Sequence, residues 1–131
     1  MPRYSAIVTV LAVVFYFFIA TRVGVARQKF GVKLPAIAGH PDFERVFRVH
    51  MNTLEWMPIF LPALWVFAVY CSPAWAAGFG VLWLVGRIVY FAGYRAAAKK
   101  RASGFFIQSI AVFALSLGAL GRIAYLMVTV H

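Results

Sequence analysis

Phe43-Glu44-Arg45-Val46-Phe47-Arg48-Val49-His50-Met51-Asn52-Thr53-Leu54-Glu55-Trp56-Met57-Pro58 carries charged and amide side chains into an apolar run that continues to about Ser72. At about 100° per residue, Arg48, Asn52 and Glu55 fall within roughly 60° of one another on a helical wheel, so one stripe holds a cation, an amide and an anion. An ionisable group at bilayer depth costs about 2.5 kcal/mol or more, and such groups face a partner or a wet cavity. A stripe of this kind inside a lipid-adapted helix marks a functional site.

The setting is lipid. The 131 residues are 64% hydrophobic and 12% charged, with a mean hydropathy of +0.86, whereas a soluble domain carries roughly 25% charged residues. Four nearly uncharged stretches follow one another: Tyr4 to Thr21, Trp56 to about Ser72, Ala74 to about Gly86 (extending past Arg87 to Tyr94), and Ala102 to Gly121. Each is near the ~20 residues a helix needs to cross the hydrocarbon. Four such helices use up most of the chain, so residues 1–131 are expected to form one all-α membrane domain, a four-transmembrane-helix bundle. The first stretch is read as a retained helix. Its strongest basic flank (Arg22, Arg27, Lys29, Lys33) follows the apolar run, whereas a cleaved signal carries charge before it.

The net charge of +10 would in a soluble chain suggest nucleic acid, but its distribution excludes that partner. Of 13 Lys and Arg, Arg22, Arg27, Lys29, Lys33, Arg45 and Arg48 flank the first connection, and Arg95, Lys99, Lys100 and Arg101 flank the third. By the positive-inside rule, connections one and three are cytoplasmic. Part of the charge meets anionic membrane lipid. Short loops and the lack of a sorting tail fit a bacterial inner membrane.

The breaks are local. Gly31, Pro35, Gly39 and Pro41 interrupt the first connection, Asp42 is placed to cap the second helix, and Pro58 and Pro62 are expected to kink it. Ser72-Pro73 allows a tight turn, so helices two and three are antiparallel neighbours, and Ser103-Gly104 is expected to break the chain before helix four. Ala111, Ala114, Gly118, Ala119 and Gly121 let helix backbones approach, within the chain or across subunits. A polar site among four short helices is easier to enclose between subunits, so an oligomer is expected. Cys71, the one cysteine, sits at the turn far from the basic connections and reads as a packing residue.

A second stripe lies on helix three: Arg87, Tyr90, Tyr94 and Arg101 share one face over about 21 Å. Both stripes approach the same membrane surface. Arginines attract carboxylates, Glu55 accepts an ammonium, Asn52 pairs with an amide, and tyrosine hydroxyls donate to a thiol or carbonyl. A small peptide-like zwitterion with two carboxylates fits, together with a lipophilic second substrate arriving through the bilayer. No metal is expected, and no Ser-His-Asp or Cys-His set supplies a protein nucleophile.

With Phe43-Glu44-Arg45-Val46-Phe47-Arg48, Asn52, Glu55 and Pro58, then Arg87, Tyr90, Gly93 and Tyr94, the chain resembles the MAPEG superfamily, the membrane-associated proteins in eicosanoid and glutathione metabolism. The likeness runs from about Arg22 to Gly121 and is nearest the leukotriene-C synthase and microsomal glutathione transferase branch. It implies a homotrimer holding glutathione between neighbouring subunits, at the end that carries connections one and three. By position it implies that Arg27, Arg48, Asn52, Glu55, Trp56, Tyr90 and Tyr94 bind glutathione and that Arg101 stabilises its thiolate. The reaction implied is conjugation of glutathione to a lipophilic electrophile, with peroxidase action on a lipid hydroperoxide as a second activity.

Three positions depart from that branch. Gln28 replaces a second arginine implicated in handling the leukotriene epoxide, which speaks against that substrate. Trp56 replaces a tyrosine but keeps a donor in its indole N–H, and His50 replaces a glutamine. His50 lies about 160° from Asn52 on the wheel and reads as a packing or interfacial residue. Two other functions compete: a lipid-binding scaffold without chemistry, against which the full site stripe stands, and a proton-coupled multidrug exporter. Arginines expected around Glu55 would repel cationic drugs and so argue against the exporter.

Overall fold

The computed structural model describes residues 3–96 and 102–129. Four helices make up most of them, α1 (Arg3–Phe30), α2 (Pro41–Tyr70), α3 (Pro73–Ala96) and α4 (Ala102–Thr129). Each is long and apolar enough to cross a membrane, so the protein is an all-helical integral membrane protein. In lipid a helix satisfies all its backbone groups within itself, which is why runs of this length and composition become helices.

The ends of the helices differ in detail from the expectation. His40, not Asp42, caps α2: its Nδ1 accepts from the Asp42 N–H at 3.1 Å, and Pro41 takes the first helical position, where its missing N–H costs nothing. Asp42 pairs with Arg45 one turn on. The helix then continues unbroken through Pro58 and Pro62.

Ser103-Gly104 does not break the chain; both residues lie in the first turn of α4. Gly104 is needed for close approach instead, because a Cβ there would lie 2.2 Å from Tyr90 N and 2.7 Å from Gly86 O. Gly86 is its counterpart, where a Cβ would meet Gln108 N at 2.7 Å. This glycine-lined crossing brings α3 and α4 into backbone contact at the end carrying connections one and three.

Antiparallel α2 and α3 meet at the Cys71-Ser72 turn as expected. The Cys71 thiol is exposed and reaches Gly118 O at 3.4 Å, tying the turn to α4. Ala111 and Ala119 on α4 are buried within the chain, and Gly118 accommodates the Phe67 ring, 2.5 Å from where a Cβ would stand. Those small residues therefore serve contacts inside the subunit, whereas Gly121 faces open space. Helix α1 packs on α2 and α3 and barely touches α4.

Two apolar clusters fill the bundle. One, toward the α2–α3 turn, contains Phe60 and Trp83, whose rings stack in parallel at 4.0 Å. The other, toward the basic end, gathers Ile19, Phe43, Val49 and Tyr90. Between them in sequence on α2 and α3 lie Thr53 and Arg87, which with Gln108 of α4 form a polar layer, all three wholly buried.

Candidate functional site

Arg87 organises that layer. Its Nη1 donates to Asn52 Oδ1 at 2.7 Å and to Gln108 Oε1 at 2.6 Å, while Nη2 donates to Thr53 Oγ1 at 2.5 Å and Val49 O at 3.4 Å. One guanidinium thus ties α2, α3 and α4 together. All four acceptors are neutral, and the Tyr90 ring lies 4.5 Å from the guanidinium carbon, adding a cation–π contact. The planar fork suits the task, since five fixed N–H directions reach partners on several sides at once.

The amide of Asn52 is thereby oriented. With Oδ1 occupied by Arg87, its NH₂ is the end left to present elsewhere, and Asn52 is half-buried, at the margin between the bundle interior and its outer surface. Arg48 and Glu55 sit on the outer side of that margin, both exposed. Among the described residues neither makes a hydrogen bond or ion pair, and seven residues of helix separate them by about 10 Å, too far to pair with each other. The arginines expected around Glu55 are therefore not supplied by the described residues of its own subunit.

The first stripe splits across the subunit edge because of rotation. Val49 and Thr53, the most buried positions of this part of α2, set the inward direction. Asn52 is rotated part of the way toward it, and Arg48 and Glu55 are rotated away. Trp56 lies on the inner side, its ring edge-on to Phe105 of α4 with centroids 5.8 Å apart.

The second stripe faces inward throughout its described part. Tyr90 is 4% exposed, and its ring lies 5.5 Å from that of half-buried Tyr94. Arg101 lies outside the described residues. Arg27 stands apart from the rest, donating to Ala36 O at 2.6 Å, with its guanidinium carbon 4.9 Å from the Phe43 ring. It pins the first connection against the end of α2. His50 stacks on Tyr16 of α1 at 4.8 Å, a packing contact.

The fold therefore joins the two stripes through Arg87–Asn52, sets Tyr90 against Arg87 and Tyr94, packs Trp56 against Phe105 and the cluster toward the α2–α3 turn, and leaves Arg48 and Glu55 on its outside. Reading the sequence missed the centre of the arrangement. The pattern of α3 places Arg87 on a stripe but leaves open its partners Thr53 and Gln108, which come from other helices. A signal was available for Gln108, the only amide in α4, since a lone amide in a membrane helix seeks a partner across the bundle.

Comparison with known proteins agrees with this architecture. Residues 5–121 match the model of the MAPEG family. An uncharacterised protein of Synechocystis is 49% identical over 89% of this chain and 85% of its own length. Human microsomal glutathione S-transferase 2 is 43% identical over 88% of this chain and 80% of its own. Bovine leukotriene C4 synthase is 35% identical over 93% and 82%. A family match spanning nearly all of the described bundle, with relatives this similar over most of their own length, establishes that the chain belongs to the MAPEG family.

Proposed function

We propose that this protein is a membrane-bound glutathione transferase that works as a homotrimer, with one glutathione held at each interface between subunits. The observation that carries the reading is the exposure of Arg48 and Glu55: opposite charges on the outer face of a membrane helix, without partners among the described residues of their own subunit. Facing lipid, each would cost about 2.5 kcal/mol or more. Facing a second subunit across a zwitterionic tripeptide, each has a counter-charge.

In this assembly Arg48 and a neighbour's Arg27 take the carboxylates, Glu55 takes the ammonium, and the Asn52 NH₂ donates to a ligand oxygen. Trp56, Tyr90 and Tyr94 line the part nearest the thiol. Arg101 stabilises the thiolate: an ordinary thiol with a pKa near 8.5 is mostly protonated at neutral pH, and a nearby guanidinium lowers that value. The thiol proton passes to solvent and the thiolate sulfur attacks an electrophilic carbon. A new S–C bond forms, and the leaving group departs with the bonding electrons. A lipophilic electrophile reaches the site through the bilayer, and a lipid hydroperoxide is a second candidate substrate. The human transferase and the bovine synthase, named for glutathione transfer and leukotriene C4 synthesis, support the assignment. The site lies on the cytoplasmic side of a bacterial inner membrane in this reading.

Calorimetric titration of the purified protein with glutathione, with its mass measured by native mass spectrometry, tests the proposal. Saturable heat from a trimer is expected. No heat at millimolar glutathione overturns it.

A further inference from the structure

We propose that the cavity between the end of α1 and the start of α2 is a second ligand site, one that binds the phosphate of an anionic phospholipid headgroup. It encloses about 310 Å³, at the small end of pockets that hold organic ligands. Arg22 and Lys29 of α1 and Arg45 of α2 line it beside one acid, Asp42, with Val25 and Phe91 among its apolar walls. None of the residues assigned to glutathione lines it.

The charges are set for a ligand. Asp42 is engaged by Arg45, so the wall retains a net charge of two cations. Arg22 and Lys29 have no acidic partner among the described residues: the guanidinium carbon of Arg22 lies 5.6 Å from the Phe18 ring, and Lys29 Nζ lies 5.3 Å from the Phe30 ring. Arg22 Nε is shielded from solvent and has no hydrogen-bond partner among the described residues. A donor in that state is costly until an acceptor arrives.

Location selects phosphate over other anions. Arg22 and Lys29 are on one face, separated along α1 by about 10 Å, and span the helix end where headgroups begin. Basic pockets between helices at the cytoplasmic surface suit anionic headgroups. Val25, Val46 and Phe91 give the cavity an apolar side against which the glycerol end of a lipid would rest. Arg27 faces away from the cavity, toward Ala36 O, so the tripeptide reading and this one use different donors.

The test uses the full-length protein, stripped of lipid in detergent. Phosphatidylglycerol is added in one arm, phosphatidylcholine in a second and inorganic phosphate in a third, with bound molecules counted by native mass spectrometry. Phosphatidylglycerol is expected to bind and raise the unfolding temperature, and phosphatidylcholine to do so far less. Inorganic phosphate matching phosphatidylglycerol would overturn a lipid source in favour of a free anion.

Arg22→Gln with Lys29→Gln should weaken phosphatidylglycerol about ten- to hundredfold, as for lost charge-assisted bonds, and leave glutathione heats unchanged. Should that double variant fold poorly, Val25→Trp, which fills the cavity with its charges intact, should abolish lipid binding alone. Unchanged lipid binding in the variant that folds, or a parallel loss of glutathione binding, overturns the proposal.

Discussion

Arg87 holds Asn52 by a 2.7 Å hydrogen bond from Nη1 to the amide oxygen, so a cation at the centre of the bundle decides which end of that amide faces the subunit edge. The bond joins the structural layer to the candidate glutathione site. Packing faults in the layer should therefore reach the site.

Replacing Arg87 by methionine leaves Asn52, Thr53 and Gln108 without their shared donor. A loss of about 2 to 4 kcal/mol of stability is expected, read as a lower unfolding temperature in detergent. Arg87→Lys should recover only part, because one ammonium cannot reach acceptors on α2 and α4 with the geometry of a planar fork. Full stability in Arg87→Met would show that the layer is dispensable.

Gly104→Ala should be among the most damaging small substitutions. Its Cβ would fall 2.2 Å from Tyr90 N and 2.5 Å from Tyr90 Cα, both backbone atoms that move only if α3 and α4 separate. Overpacking of this kind costs about 1 to 3 kcal/mol or more. Gly121→Ala is the control: nothing lies within 4 Å of its Cβ position, and stability should be unchanged or slightly higher, by about 0.5 to 1 kcal/mol. Comparing yields and unfolding temperatures of the two variants checks the crossing.

Glu55→Gln should weaken glutathione roughly ten- to hundredfold, the worth of a charge-assisted contact of about 1.5 to 3 kcal/mol. The subunit's unfolding temperature should hardly move, since the side chain is exposed and unpaired among the described residues. Calorimetry that returns the parent affinity removes Glu55 from the site.

Arg101→Ala should reduce turnover with an activated aryl halide while leaving glutathione affinity within a few fold. The sign follows from charge: the guanidinium favours the thiolate and lowers the thiol pKa, so its loss returns that pKa toward about 8.5 and moves the pH–rate curve to higher pH. Ultraviolet difference spectra at neutral pH should show thiolate in the parent and little in the variant. Normal thiolate with weaker binding would make Arg101 a carboxylate clamp instead.

Native Cys71, exposed at the α2–α3 turn, and a cysteine introduced at Lys33 in a Cys71→Ser background should be labelled from opposite sides of the membrane by an impermeant thiol reagent. Ten of the 13 Lys and Arg flank connections one and three, which places Lys33 inside. Labelling from the same side refutes that topology.

The four spans were readable from the sequence because each is a local property. A run of about 20 apolar residues must become a helix in lipid whatever its neighbours do. The polar stripes were readable too, since angles between residues of one helix follow from its period. What the period leaves open is how each helix is rotated against the others. That rotation turned Asn52 inward to Arg87 while Arg48 and Glu55 stayed outside, and it put Thr53 and Gln108 against one guanidinium. The same limit made Gly104 look like a helix break: a glycine's freedom and a glycine's smallness leave the same letter, and only the backbone of Tyr90 lying against it shows which is used. Asp42 was the better cap by propensity, yet His40 took the place, because Pro41 opens the helix one residue earlier and leaves Asp42 inside the first turn. Composition and periodicity determined the membrane, the helices and the stripes; packing between the helices decided which polar groups meet, because contact energies depend on neighbours that no single helix encodes.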